Sequence, residues 1–405
     1  MSSTSGSATT PPASNDTIVR SKGKSRTGLY AVIAVVVVIV IILGAGYAAG
    51  WFKSSSSSGS SKGCTLPATA TLDGAGSTLV APLMIAWSLA YTASTVDYSA
   101  VGSGTGITDI TSKTVDFGAS DAPLNPAQRA AIPSPGVLTI PESAGAAVPI
   151  YNLPGVAGHV NLNGQILAEI YMQTITKWND PQIAAINSGV TLPSQTIIPV
   201  HRSDGSGTTF VWSSFLSAAN ATWKNTLGHA TTINWPSGEL AEKGNSGVTT
   251  TVQETPYSIG YVDINYALTN GVAYGAVQNP TGNYIVANVT NIESAIKDSN
   301  PVFPAATGDW YNFSVLNAPG AHDYPIATFT YVFVYSDLGK AYSGYSQSKA
   351  ENLVDFLSWI VGPTGQSYAA PLYYIPLSSS AVTFDTTAIN SIVYNGATLP
   401  VCVPT

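Results

Sequence analysis

The chain has 405 residues, 45% of them hydrophobic, enough to bury a core of two or three lobes and too apolar for a disordered protein. Charged residues make up only 9%, and 22 Asp and Glu against 15 Lys and Arg leave a formal charge of −7, which argues against a nucleic-acid surface. Abundant Ser, Thr, Gly, Tyr and Asn is a surface style common on secreted and cell-surface proteins.

Residues 1–28 are rich in Ser, Thr and Pro without apolar periodicity and read as a disordered cytosolic tail. From Leu29 to Phe52 run 24 uncharged, mostly apolar residues. As a helix rising ~1.5 Å per residue they reach across a hydrocarbon core of about 30 Å. Arg20, Lys22, Lys24 and Arg26 precede this run and only Lys53 and Lys62 follow it closely, so the N-terminus is expected in the cytosol and everything after Lys53 outside. A cleaved signal peptide is the alternative, but the run exceeds a usual apolar h-region and has no convincing cleavage site behind it. Pilin-like processing just before the run would leave the helix attached. Residues 53–63 read as a Ser-rich tether.

From Cys64 onward there are 9 Lys and Arg against 21 Asp and Glu, about −12 in formal charge. Cys64 and Cys402 are the two cysteines, and in an oxidising exterior one disulfide would tie the ends of the folded region together. Two free thiols are the alternative. The Ser-Ser-Lys-Gly before Cys64 does not fit a lipidation site.

Short β-rich runs then alternate with helical patterns, which favours an α/β architecture over a sandwich. Leu79, Leu83, Trp87 and Tyr91 recur every four residues, and Trp212, Phe215, Leu216 and Ala219 follow i, i+3, i+4, i+7, each describing one apolar helix face. The first helix is preceded by Gly74-Ala75-Gly76-Ser77-Thr78 and the second by Asp204-Gly205-Ser206-Gly207-Thr208, while Gly102-Ser103-Gly104-Thr105-Gly106 leads into a third. A helix start presents unpaired N–H groups and about half a positive charge, so it can hold an oxyanion without a basic side chain. Ser and Thr cap helices everywhere, so one such start means little; three, one beside Arg202, point to an anion.

Nucleotide chemistry is not supported, because no GxxxxGK[ST] occurs and no Lys follows Gly207. A serine-hydrolase elbow needs Gly-x-Ser-x-Gly, and Asp204 stands where its first glycine would be. His159, His201, His229 and His322 show no zinc-ligand spacing, so no metal is expected.

The strings LDGAGSTLVAPL (72–83), VGSGTGI (101–107), VDFGASDAPL (115–124), HRSDGSGTTFVW (201–212), EKGNSGV (242–248) and YSIGYVD (257–263) resemble, in order and spacing, the phosphate-binding subunit of the phosphate ABC importer, the PstS family. The resemblance spans 70 to about 390 and leaves out residues 1–63. It implies a two-lobed periplasmic-binding-protein type II fold, with residues 64–147 and 325–405 as lobe one and 148–324 as lobe two. It further implies a monomeric, non-enzymatic protein that captures inorganic phosphate and delivers it to ABC permease subunits with a cytosolic ATPase. No cofactor is implied.

Carried over by motif, Thr78, the backbone of Leu79 and Ser103 would donate to phosphate from lobe one, and Ser206, Gly207 and Thr208 from lobe two. Arg202 would be the cationic contact, with Asp204 fixing its fork, and Asp121 would accept a proton from the ligand. Leu79 replaces a residue commonly aromatic in the family, and Val80 a common proline; a backbone donor is indifferent to both. His201 stands where a basic residue is often found and is assigned no role. A sulfate- or molybdate-binding protein is one alternative. A phosphoester hydrolase using Ser103 or Ser206 is another, for which the sequence offers no metal cluster or general base.

Overall fold

The computed structural model describes residues 68–402. The expected tail, membrane span, tether and Cys64 lie outside these residues; among the described ones no helix is long and apolar enough to cross a membrane. The strands are β1 (Thr71–Gly76), β2 (Thr95–Ala100), β3 (Phe117–Ser120), β4 (Val137–Tyr151), β5 (Asn161–Leu162), β6 (Ile198–Arg202), β7 (Leu240–Glu242), β8 (Ser258–Asp263), β9 (Ala276–Gln278), β10 (Tyr284–Val286), β11 (Ala327–Tyr335), β12 (Val393–Tyr394) and β13 (Ala397–Thr398).

Eight of them form one mixed sheet in the order β2-β1-β3-β11-β4-β8-β6-β7, with helices on its faces. β1 is parallel to β2 and β3, and β6 to β7 and β8, while β11 runs antiparallel to β3 and β4. Strand β4 joins two lobes. Its residues up to Ala146 pair with β11, and Ala147–Tyr151 pair with β8. All of its residues are buried, as are those of β11, because both faces of the sheet centre are covered; this is why the two strands read as apolar runs without clean alternation. A bulge interrupts their pairing. Thr330 faces Ser143 and Tyr331 faces Pro141, so Glu142 has no strand partner and turns out of register.

Leu83 and Trp87 are buried along the helix Ala81–Ala90, and Trp212, Phe215 and Leu216 along the helix Gly207–Ala219. Burying each such side chain contributes about 1.5–3 kcal/mol. The spacing overran the first helix at both ends, since Leu79 precedes its N-cap Val80 and Tyr91 is its C-cap. The two ends of the described region meet on the helix Gln347–Val361. Ser348 Oγ and Asn352 Nδ2 donate to the Ala68 carbonyl at 3.2 and 2.9 Å, and Cys402 N–H donates to Asp355 Oδ1 at 2.5 Å.

Candidate anion-binding site

The loops that leave the carboxyl ends of β1, β2, β3 and β6 converge, the usual place for a ligand in an open α/β sheet. Ser77, Thr78, Ser103, Asp121, Arg202, Ser206 and Thr208 are all buried there. After β1 the chain makes a tight turn before its helix. Leu79 N–H and Val80 N–H both donate to Ser77 Oγ, at 2.9 and 3.3 Å, so Ser77 and not Thr78 ties down this helix start. The carbonyls of Ser77, Thr78 and Leu79 each accept a buried tyrosine hydroxyl, from Tyr98, Tyr266 and Tyr374, at 2.8, 2.8 and 2.6 Å.

The second start differs from the sequence expectation in extent. Its helix already begins at Ser103, after Gly102 at φ 97°, so Gly104 and Gly106 lie inside it. The loops after β2 and β6 touch at this point: Gly104 N–H donates to the Gly205 carbonyl at 2.9 Å, and a Cβ on Gly102 would lie 2.3 Å from Asp204 Oδ2. Only glycine fits a backbone with that angle and that neighbour.

The third start is the N-terminus of Gly207–Ala219. Ser206 caps it by accepting from Thr209 N–H at 3.0 Å, which leaves the Ser206 hydroxyl proton free to donate. The N–H groups of Gly207 and Thr208, in the first turn, have no intrahelical carbonyl to bond. A Cβ on Gly207 would come 2.5 Å from Asp121 Oδ2 and 2.6 Å from Ser103 Oγ, so this helix end abuts the loops that follow β3 and β2.

Asp121 does not cap its own turn. Its Oδ1 accepts from Ser77 Oγ at 2.5 Å and its Oδ2 from Ser103 Oγ at 3.4 Å, so it gathers hydroxyls from two other loops. Burial pushes its carboxyl up to about 6, against the opposing bonds of Ser77, Thr330 and Ser103 and the charge of Arg202. Arg202 donates from Nε and Nη2 to Asp204 at 2.7 and 2.5 Å, in fork geometry. Its Nη1 is buried with no acceptor among the described residues. Burial pulls Asp204 upward, but the bonds and charge of Arg202 and the Gly244 N–H at 3.1 Å outweigh it and hold the carboxyl below its ordinary value.

The matching family model is the PBP superfamily domain, over residues 64–364. The chain is 37% identical to the phosphate-binding protein PstS of Xylella fastidiosa (strain Temecula1), covering 77% of this chain and 82% of that protein. It is 35% identical to the phosphate-binding protein PstS of Pasteurella multocida, covering 77% and 88%. The chain belongs to the PstS family. Its fold resembles that of a phosphate-binding protein from Stenotrophomonas maltophilia, with a TM-score of 0.59 at 20% identity over 79% of this chain and 94% of that one.

In this PstS chain four further residues join the cluster that the sequence reading did not single out. Ser77 holds Asp121, and Asn245 Nδ2 donates to Thr78 Oγ1 and Thr208 Oγ1 at 3.0 and 3.3 Å. Thr330, whose hydroxyl also bears on Asp121, gives its one proton to Glu142 Oε1 at 3.1 Å, and burial pushes Glu142 up to about 8. Ser77 and Asn245 sit inside the motif strings and were legible by position. Glu142 and Thr330 lie within apolar strands, with nothing local to mark them. A cavity of about 380 Å³ between the helix Gly207–Ala219, β11 and residues 311–317 meets this cluster only at Asp121. Among the described residues no group of three His, Cys, Asp or Glu is placed to hold a metal ion.

Proposed function

We propose that this chain closes its two lobes on inorganic phosphate outside the cell and delivers it to an ABC-type import permease. One observation carries the reading. The Arg202 side chain is 1% exposed, its fork is filled by Asp204, and its buried Nη1 has no acceptor among the described residues. A desolvated cation with unspent donors is costly, and an oxyanion in the cleft would satisfy it. The phosphate-binding PstS relatives support the same ligand.

Asp121 favours phosphate over sulfate or molybdate. Phosphate near neutral pH keeps a P–OH to donate to the carboxylate, and those dianions have none. Thr78, the Leu79 backbone, Ser103, Arg202, Ser206, Gly207 and Thr208 are assigned as donors. Leu79 N–H would exchange its bond to Ser77 Oγ for one to the ligand. No catalytic role is assigned.

Around this core we place lobe one at residues 64–147 and 325–405 and lobe two at 148–324. Leu29–Phe52 anchors the protein as a single membrane span, with the lobes outside and the chain acting as a monomer. The Cys64–Cys402 disulfide is supported by Ala68 and Cys402 lying on one helix within a turn of each other, at Asn352 and Asp355. Calorimetric titration of the ligand-stripped protein with phosphate, sulfate and phosphate esters, beside a phosphomonoester turnover assay, tests the reading. Saturable phosphate uptake without turnover is expected; equal uptake of sulfate, or ester hydrolysis, would overturn it.

A further inference from the structure

The EKGNSGV segment brings a buried amide, Asn245, to the point where the lobes meet. Gly244, at φ 72°, makes the turn that starts the helix Gly244–Glu254, and its N–H holds Asp204. The next residue reaches both sides of the cleft. Asn245 Nδ2 lies 3.0 Å from Thr78 Oγ1 of lobe one and 3.3 Å from Thr208 Oγ1 of lobe two. Its Oδ1 accepts from Asp263 N–H at 3.1 Å, and because an N–H can bond only the oxygen, this contact fixes which end of the amide faces the threonines.

A hydroxyl has one proton and two lone pairs. Thr78 Oγ1 accepts from both the Asn245 backbone N–H, at 3.2 Å, and its Nδ2, so its lone pairs are filled and it can only donate. Thr208 Oγ1 accepts the other Nδ2 proton. Among the described residues no carbonyl or carboxylate takes either threonine proton. We propose that Asn245 is a positioning residue of the anion site, whose side-chain amide donates to one lone pair of each threonine and, with its backbone N–H on the second lone pair of Thr78, turns both hydroxyl protons toward the ligand. This rests on the anion-capture reading above. The bond to Thr78 also crosses the cleft, so the donor set is completed only when the lobes close.

The test is a set of phosphate titrations on the full-length protein. Asn245→Ala is expected to weaken binding by about 10- to 100-fold. In a Thr78→Val/Thr208→Val background the same change should add less than about threefold, whereas with Thr78→Ser, which keeps the hydroxyl, its full effect should return. Asn245→Asp keeps the acceptor for Asp263 N–H but offers the threonines no donor, and should weaken binding at least as much as Asn245→Ala. Thermal unfolding without phosphate identifies any variant that has lost its fold, and Asn245→Asp then carries the comparison. Equal losses from Asn245→Ala with and without the threonine hydroxyls would overturn the proposal. Wild-type protein that takes up sulfate in place of phosphate would overturn the phosphate reading alone, and the same cycle read on sulfate decides the role of Asn245. Wild-type protein that takes up neither anion would overturn both.

Discussion

Replacing Asp121 by Asn isolates the group that should separate phosphate from sulfate. In the structure Oδ1 is engaged by Ser77 Oγ at 2.5 Å, while Oδ2 lies on the side of Gly207, 2.5 Å from where a side chain there would begin. An asparagine keeping its oxygen toward Ser77 therefore presents Nδ2 to the anion. The wild-type carboxylate accepts a P–OH and repels an oxyanion without one; the amide donates to either. A polar site matched to a ligand's hydrogen bond rejects an analogue lacking it by about 10⁴ to 10⁵. The phosphate-to-sulfate affinity ratio should accordingly fall by orders of magnitude, with sulfate binding rising even where phosphate binding drops. Paired calorimetric titrations at fixed pH and salt measure it, and a ratio unchanged within a factor of a few would refute the assignment.

The same carboxyl predicts a pH dependence. It titrates at about 6 in the folded protein against 3.8 for an unperturbed aspartate, because burial disfavours its charge. Between those values the unfolded chain has released a proton that the folded one keeps. Raising the pH from about 4 to 6 should therefore lower the stability of the ligand-free protein, by on the order of 3 kcal/mol for this group. Asp121→Asn should remove that component. Below about pH 6 the protonated carboxyl becomes a donor, so wild-type selectivity against sulfate should weaken there.

Arg202→Ala should weaken phosphate binding by about 2 to 5 kcal/mol, since a charge-assisted contact to a desolvated anion is lost; calorimetry that finds unchanged affinity would remove it from the site. Gly207→Ala should impair binding more than about tenfold, because its Cβ would sit 2.5 Å from Asp121 Oδ2, while thermal unfolding of the ligand-free protein, whose lobes can open, changes little. Non-reducing peptide mapping should yield a Cys64–Cys402 pair, and loss of a bridge closing so long a loop should cost roughly 4 to 5 kcal/mol on the chain-entropy model. Protease added to intact cells should remove the lobes, and their full protection would contradict the proposed topology.

Much of the site was legible because anion capture by helix starts leaves a local trace. Glycine is needed where lobes or backbones approach closely, as at Gly102 and Gly207, and Ser or Thr beside it supplies a hydroxyl. The limits were equally physical. Spacing placed Leu79 in a helix that starts two residues later, because the turn is closed by Ser77 Oγ instead of by intrahelical bonds. Glu142 escaped notice because a bulge, a property of strand pairing and not of the strand's own residues, turns it out of register toward Thr330. Asn245 and Tyr266 hydrogen-bond Thr78 across 167 and 188 residues of sequence, a relation only the folded chain creates.

A region of about −12 in formal charge from Cys64 onward is at first sight a poor trap for an anion, yet the arrangement explains itself. Long-range repulsion is screened beyond roughly 10 Å at ordinary ionic strength, so it acts on approach and not on the closed complex. Inside, Arg202 is the cation of the site, and its charge is largely matched by Asp204. What remains is a set of mostly neutral donors held by their neighbours: Thr78 Oγ1 accepts two N–H bonds from Asn245, Ser206 Oγ one from Thr209, and the Leu79 carbonyl takes the Tyr374 hydroxyl. Thr78, with both lone pairs filled, cannot turn into an acceptor against the ligand, while Leu79 N–H has to leave Ser77 Oγ to reach it. On the proposed reading a cleft wired this way would respond to hydrogen-bonding pattern more than to charge, and one carboxylate, Asp121, set among the donors would sort a protonated oxyanion from an unprotonated one.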